Sequence, residues 1–203
     1  MDRNALVNRR MILVGVGAVI VASPLKAQGS AAGKIDSLHG DAFAERANSR
    51  RALQLSADVF VCDLIETENN SGLTMHLGKA TTVKLGALAK FRIDRFVVDA
   101  GGMLDLDQGA LVVDRDDNAK NERLRMRSPF CLIAVRGTMF FAGPSKGVFG
   151  VFVGRGVVTV AGGGRTITLR RGEGTDIVEA GSAPSEPKAW GPERVAAALA
   201  SVG

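Results

Sequence analysis

The chain has 203 residues, 46% hydrophobic and 23% charged, which is enough apolar material for one domain with a real core and too much for a disordered chain. Its net charge of +5 invites a nucleic-acid partner, but Arg3, Arg9, Arg10 and Lys26 against Asp2 place most of that excess in the first 27 residues. The remainder is near neutral and has no basic run interleaved with aromatics, which argues against nucleic-acid binding.

Residues 1–27 read as an export signal. Asn8, Arg9 and Arg10 form a positive n-region, residues 11–22 an apolar h-region, and Leu25-Lys26-Ala27 a site for cleavage after Ala27. Arg9-Arg10 also fits a twin-arginine signal, so Sec and Tat export both stay open. The apolar run is shorter than the roughly 20 residues a spanning helix needs, and Pro24 interrupts it. The expectation is a mature chain in the periplasm with no stable membrane span.

Residues 28–33 read as a flexible lead-in. Residues 34–47 read as a first hairpin turning at Gly40-Asp41, and 47–51 as a polar loop. A strand is predicted over 58–67 and a turn over 68–72. Leu73, Met75 and Leu77 then share one face of a strand. Further strands are predicted over 81–85, 90–99, 103–106 and 109–113, with Gly86 and Gly101-Gly102 as breaks. Residues 114–125 are the most polar stretch and read as a solvated loop or hairpin tip. Strands recurring every ~8–12 residues without a helical period predict an all-β fold, a solenoid-like roll or twisted two-sheet sandwich of many short antiparallel strands.

Residues 126–177 carry the clearest pattern. Val151 and Val153, Val158 and Val160, and Ile167 and Leu169 alternate with period two, and Gly162-Gly163-Gly164 and Gly172-Glu173-Gly174 supply turns. This predicts a meander of at least four strands. Inside it lie Val135, Arg136, Gly137, Thr138, Met139 and Phe140. A glycine within a strand signals a bulge or a close backbone approach, and the flanking Arg136 and Thr138 suit the polar groups freed there. The expected role is structural, so Arg136→Ala should lower the melting temperature. Unchanged stability with lost partner binding would instead mark Arg136 as a contact residue. Residues 180–187 read as a linker, Trp190 as the staple that fixes it, and 192–200 as a short helix packing Val195 and Leu199.

Little supports catalysis. His39 and His76 have no metal-ligand spacing around them, and no G-x-S-x-G elbow occurs. Gly154-Arg155-Gly156 lacks the strand–helix context of a dinucleotide site. No catalytic, cofactor or metal residue is assigned. Cys62 and Cys131, the two cysteines, permit a disulfide in an exported protein, with two buried free thiols as the alternative; the bridge is the favoured reading.

Ser128-Pro129, the Val135-Arg136-Gly137-Thr138-Met139-Phe140 run, Val157-Val158-Thr159-Val160 and Leu169-Arg170-Arg171-Gly172-Glu173 together resemble the FecR domain of the bacterial envelope. Asp58-Val59, Ile65, Thr67, Ser71 and Asp107-Gln108-Gly109-Ala110-Leu111 look like the front half of that domain. The resemblance implies an all-β periplasmic domain over 28–178, followed by a linker and short helix over 179–203. In the family's best-known members this domain senses an outer-membrane iron transporter and signals to a sigma factor. This chain departs from that pattern. Its apolar segment looks like a signal peptide with no regulator domain before it, and residues 179–203 are too short for the signalling domain that contacts a transporter. The expected function is therefore a non-enzymatic protein-interaction or signalling module with an envelope protein as partner. The alternative is an envelope scaffold binding peptidoglycan or another cell-wall glycan.

Overall fold

The computed structural model describes residues 31–97, 101–116 and 123–203, apart from the side chains of Val97, Arg123 and Arg136. The export signal read in residues 1–27 and much of the polar stretch at 114–125 lie outside these residues. In chain order the strands are β1 (Ala31–His39), β2 (Ala42–Arg46), β3 (Ser49–Ala52), β4 (Asp58–Phe60), β5 (Leu64–Thr67), β6 (Gly72–Leu77), β7 (Thr81–Leu85) and β8 (Lys90–Val97). They continue with β9 (Gly101–Gln108), β10 (Leu111–Arg115), β11 (Arg123–Arg127), β12 (Leu132–Ser145), β13 (Val148–Gly162), β14 (Arg165–Arg170), β15 (Glu173–Ile177) and β16 (Lys188–Ala189), and end with helix α1 (Pro192–Ala200).

Among the described residues these strands form one open, hydrogen-bonded network, which divides into two wings. The first wing runs β3-β2-β5-β8-β9-β11 and ends on the first half of β12. The second runs β4-β1-β6-β7-β10 and ends on the second half of β12. β13 pairs with β12 along both halves, then passes the first wing to β14 and the second to β15 and β16. One long ribbon, β12 with β13, therefore belongs to both wings. All pairings are antiparallel except β9 with β11.

Alternation places the core. Ile65, Phe91, Leu104 and Ile133 point inward from the first wing, and Met75, Val83, Val113 and Val151 from the second. All are fully buried in one cluster that draws on both wings. The second wing is also covered outside, where Val112, Phe141 and Phe152 pack against Trp190, Ala198 and Val202. That is why Leu111-Val112-Val113, Phe140-Phe141-Ala142 and Val151-Phe152-Val153 are unbroken apolar runs: a strand buried on both faces has no polar side to present.

The all-β class and the C-terminal helix match expectation, while several local readings do not. Residues 34–47 are not a hairpin, because β1 pairs with β4 and β6 whereas β2 pairs with β3 and β5, in the other wing. Ala31-Ala32-Gly33 begin β1 and are not a flexible lead-in. The polar loop at 47–51 is a turn at Ala47-Asn48, both at positive φ, followed by β3. The single strand expected over 58–67 is two, separated by a turn in which Cys62 has φ +69°. Arg115, placed in a solvated loop, is 1% exposed and donates from Nη1 to Thr81 Oγ1 at 2.7 Å.

Candidate functional site

The motif residues sit at the corner where the ribbon leaves one wing for the other. Residues 132–135 of β12 pair with β11 and residues 139–142 with β10. Between them the register against β13 shifts from Arg136↔Val157 to Met139↔Arg155. Gly137 and Thr138 thus oppose Gly156 alone, which is a β-bulge, and a bulge bends its strand and increases the twist. Gly137 has φ +58° and Gly156 φ +80°, a left-handed backbone that glycine adopts without Cβ strain. Thr138 is fully buried and its Oγ1 donates to Val157 O at 3.4 Å. Val135 and Phe140 enter the core on either side of the bend. The Arg136 side chain lies outside the described residues.

A second assembly holds the C-terminus down. Trp190 lies between Phe141 and Phe152, with ring centroids 6.3 Å and 5.3 Å away. It rests on Gly150 and Gly174, where a Cβ would collide with the indole. The Arg194 guanidinium stacks 3.6 Å above that ring and donates to Asp176 Oδ1 at 2.5 Å and to Ser145 Oγ at 3.0 Å. Lys188 Nζ donates to Asp176 Oδ2 at 2.6 Å. Burial alone pushes the Asp176 carboxyl up, but the hydrogen bonds from Arg194 and Lys188 outweigh it and hold the group below its usual range. A depressed carboxylate stabilises the fold above its unfolded pKa of about 3.9, and that contribution disappears as pH falls through the folded value. Asp176→Asn should therefore cost about 2 kcal/mol at pH 7 and progressively less as pH falls below about 4, read from melting curves across that range.

A cleft of about 820 Å³ opens beside this strap, lined by Lys146, Asp176, Lys188, Trp190 and Arg194 among others. Through Val148 and Val178 it adjoins an apolar cleft of about 440 Å³ that includes Leu106, Phe130, Pro144 and Phe149. Phe130 and Phe149 stack there at 4.5 Å, and Val178 is 74% exposed. Cations beside exposed apolar surface suit binding; neither cleft brings a nucleophile to a base. His76 Nδ1 lies 3.0 Å from Thr82 Oγ1 on an exposed strand face, and His39 packs beside Gly72. Among the described residues no group of three His, Cys, Asp or Glu side chains is placed to hold a metal.

The expected bridge between Cys62 and Cys131 is not formed; both thiols are free. Cys62 sits in the exposed β4–β5 turn against β8, and Cys131 in the β11–β12 hairpin. β8 and β9 lie between them in the sheet, and at ~4.8 Å per strand that exceeds the ~7 Å Cα separation a disulfide spans. Burial pushes the Cys131 thiol up to about 11, against a hydrogen bond with Ser128 that acts the other way. A thiol reagent near pH 8 should label Cys62 within minutes and leave Cys131 untouched until the chain is denatured, counted by mass spectrometry.

No protein-family model matches the chain, and no curated protein sequence does. The two-wing architecture does have solved counterparts. The fold is shared with a candidate anti-sigma factor of Parabacteroides distasonis. Two crystal structures so described superpose with a TM-score of 0.56 at 18% identity, over 67% of this chain and 64% and 63% of theirs. This chain thus spans less than two thirds of the length of those neighbours, and at that identity the likeness is one of fold. Sequence reasoning missed the partnership of Asp176, Lys188 and Arg194. The available signal was the i, i+4 spacing of Trp190 and Arg194 across the helix start, which brings a cation over an aromatic ring.

Proposed function

We propose that this chain is a FecR-like module, exported to the periplasm, that serves envelope signalling by binding a protein partner and not by catalysis. One observation carries the reading. The Val135-Arg136-Gly137-Thr138 run, on which the resemblance rests, forms the bend that joins the two wings of a fold shared with a candidate anti-sigma factor. Export is supported by the n-region, h-region and cleavage pattern of residues 1–27. The glycan alternative draws less support, since Trp190, the aromatic best suited to stack on a sugar, is only 7% exposed.

The test is crosslinking in the living envelope followed by mass spectrometry, with fractionation and mapping of the mature N-terminus. The expected result is a periplasmic chain beginning at Gln28 and joined to a protein. Retention on bare purified cell wall with no protein adduct would replace this reading by the scaffold one, and a cytosolic chain with its leader attached would remove the export step.

A further inference from the structure

We propose that the outer face of the first wing is the docking surface, and that its occupant is an acidic amphipathic helix of a protein partner; this rests on reading the chain as a protein-interaction module. The two wings differ in one respect. The second is covered outside by α1 and Trp190, whereas among the described residues nothing covers the outer face of the first.

The register defines that face. Arg125 on β11 stands opposite Ala134 on β12, which stands opposite Thr159 on β13 and then Thr168 on β14. One row along, Val157 faces Arg170. Arg125 and Arg170 thus stand three strands and one row apart, at least roughly 14 Å at strand spacing, with Ala134, Thr159 and Val157 between them and Arg136 at the register position beside Val157. An α-helix with its side chains is about 10–12 Å across, so the floor between the arginines has the width of one helix. Val157 is 49% exposed there and offers an apolar contact.

The charge on the face selects the occupant. Arg92, Arg125 and Arg170 make no ion pair among the described residues. Arg127 is paired with Asp105 yet keeps its side chain 57% exposed above a carboxylate that is almost buried. Asp94 and Asp107 also lie near Arg127, Arg95 is beside Asp94 and Lys90 beside Glu66, so the charges at that side are balanced and the cationic excess stands with Arg125 and Arg170. A segment with carboxylates flanking an apolar stripe complements arginines set around the Ala134, Thr159 and Val157 positions. The chain's own leader, bearing Arg3, Arg9, Arg10 and Lys26, carries the wrong sign. A protein partner is favoured over an anionic membrane because a twisted sheet face is saddle-shaped while a bilayer is flat.

The test uses the mature chain and a fluorescein-labelled helical peptide with glutamates flanking a leucine–alanine stripe, beside a scrambled peptide of the same composition. The ordered peptide should bind, weaken as salt rises, and lose at least about tenfold in affinity to the Arg125→Glu/Arg170→Glu variant, while Lys79→Glu on the other wing changes it less than about twofold. Arg125→Gln/Arg170→Gln, with an unchanged melting temperature, should give an intermediate loss. Absence of binding, equal binding of both peptides, or indifference to the arginine variants would overturn the proposal. So would preferential capture by phosphatidylglycerol vesicles or by single-stranded DNA.

In the envelope, a photo-crosslinking residue at Thr168 should trap an acidic amphipathic segment and one at Thr82 should not. Adducts through Thr82 alone would overturn this face and leave the module reading standing. No protein adduct from either position would overturn the module reading itself.

Discussion

Replacing Trp190 with alanine is expected to lower the melting temperature by roughly 10–15 °C, about 3–5 kcal/mol in a domain of this size. The indole fills the space between Phe141 and Phe152 and is the platform on which Arg194 stacks, so its removal leaves a cavity and strips the guanidinium of its apolar support. The side chain's Nε1–H has no hydrogen-bond partner among the described residues, so its contribution is packing and not hydrogen bonding. Trp190→Phe, which keeps a ring and removes that donor, should cost less than half as much. Gly150→Ala tests the same contact from below, because its Cβ would sit 2.7 Å from the indole Cη2. In the double variant with Trp190→Ala, the Gly150→Ala penalty should largely vanish. Additive losses would mean that Trp190 and Gly150 act independently and that this picture of the strap is wrong.

Gly156→Val should be comparably damaging at the corner. Two costs combine there. At φ +80° an L-residue is strained by about 1–2 kcal/mol, more if β-branched, and a Cβ would approach Gly137 O to 2.5 Å, where neither backbone can yield cheaply. With a further ~1–3 kcal/mol for overpacking, the fall in melting temperature should exceed about 8 °C. Gly164→Ala separates the terms. That glycine has φ +76° in a turn with nothing within 4 Å of its missing Cβ, so only the strain should register. If Gly156→Ala and Gly164→Ala cost the same, the close approach at the bend contributes nothing.

Much of this fold could be read from residue order. Leu73, Met75 and Leu77, or Val158 and Val160, alternate because one face of each strand meets the core, and alternation is a local property. Pairing is not local. Nothing in the run from Ile35 to Ala44 says that the chain changes wings at Gly40, and a turn signal with strands on both sides reads the same for a hairpin as for a crossover. The bend at Gly137 was foreseeable as an irregularity, whereas its partner Gly156 was not, because only the pairing of β12 with β13 sets the two glycines side by side. The strap was half legible: Trp190 and the helix could be placed, but Asp176 gains its meaning only once β15 brings it under Arg194. The arginines of the first wing are scattered from 92 to 170 in sequence, and only the register gathers them onto one surface.

The shared ribbon has a consequence for how the molecule comes apart. Since β12 and β13 lend half their length to each wing, neither wing can be cut out as a self-sufficient fragment, and the whole should melt in a single transition. A nick at the exposed tip near Lys146, by contrast, would leave two pieces that each carry one strand of the β12–β13 ribbon. Such pieces should reassociate spontaneously, like a zip with its slider removed.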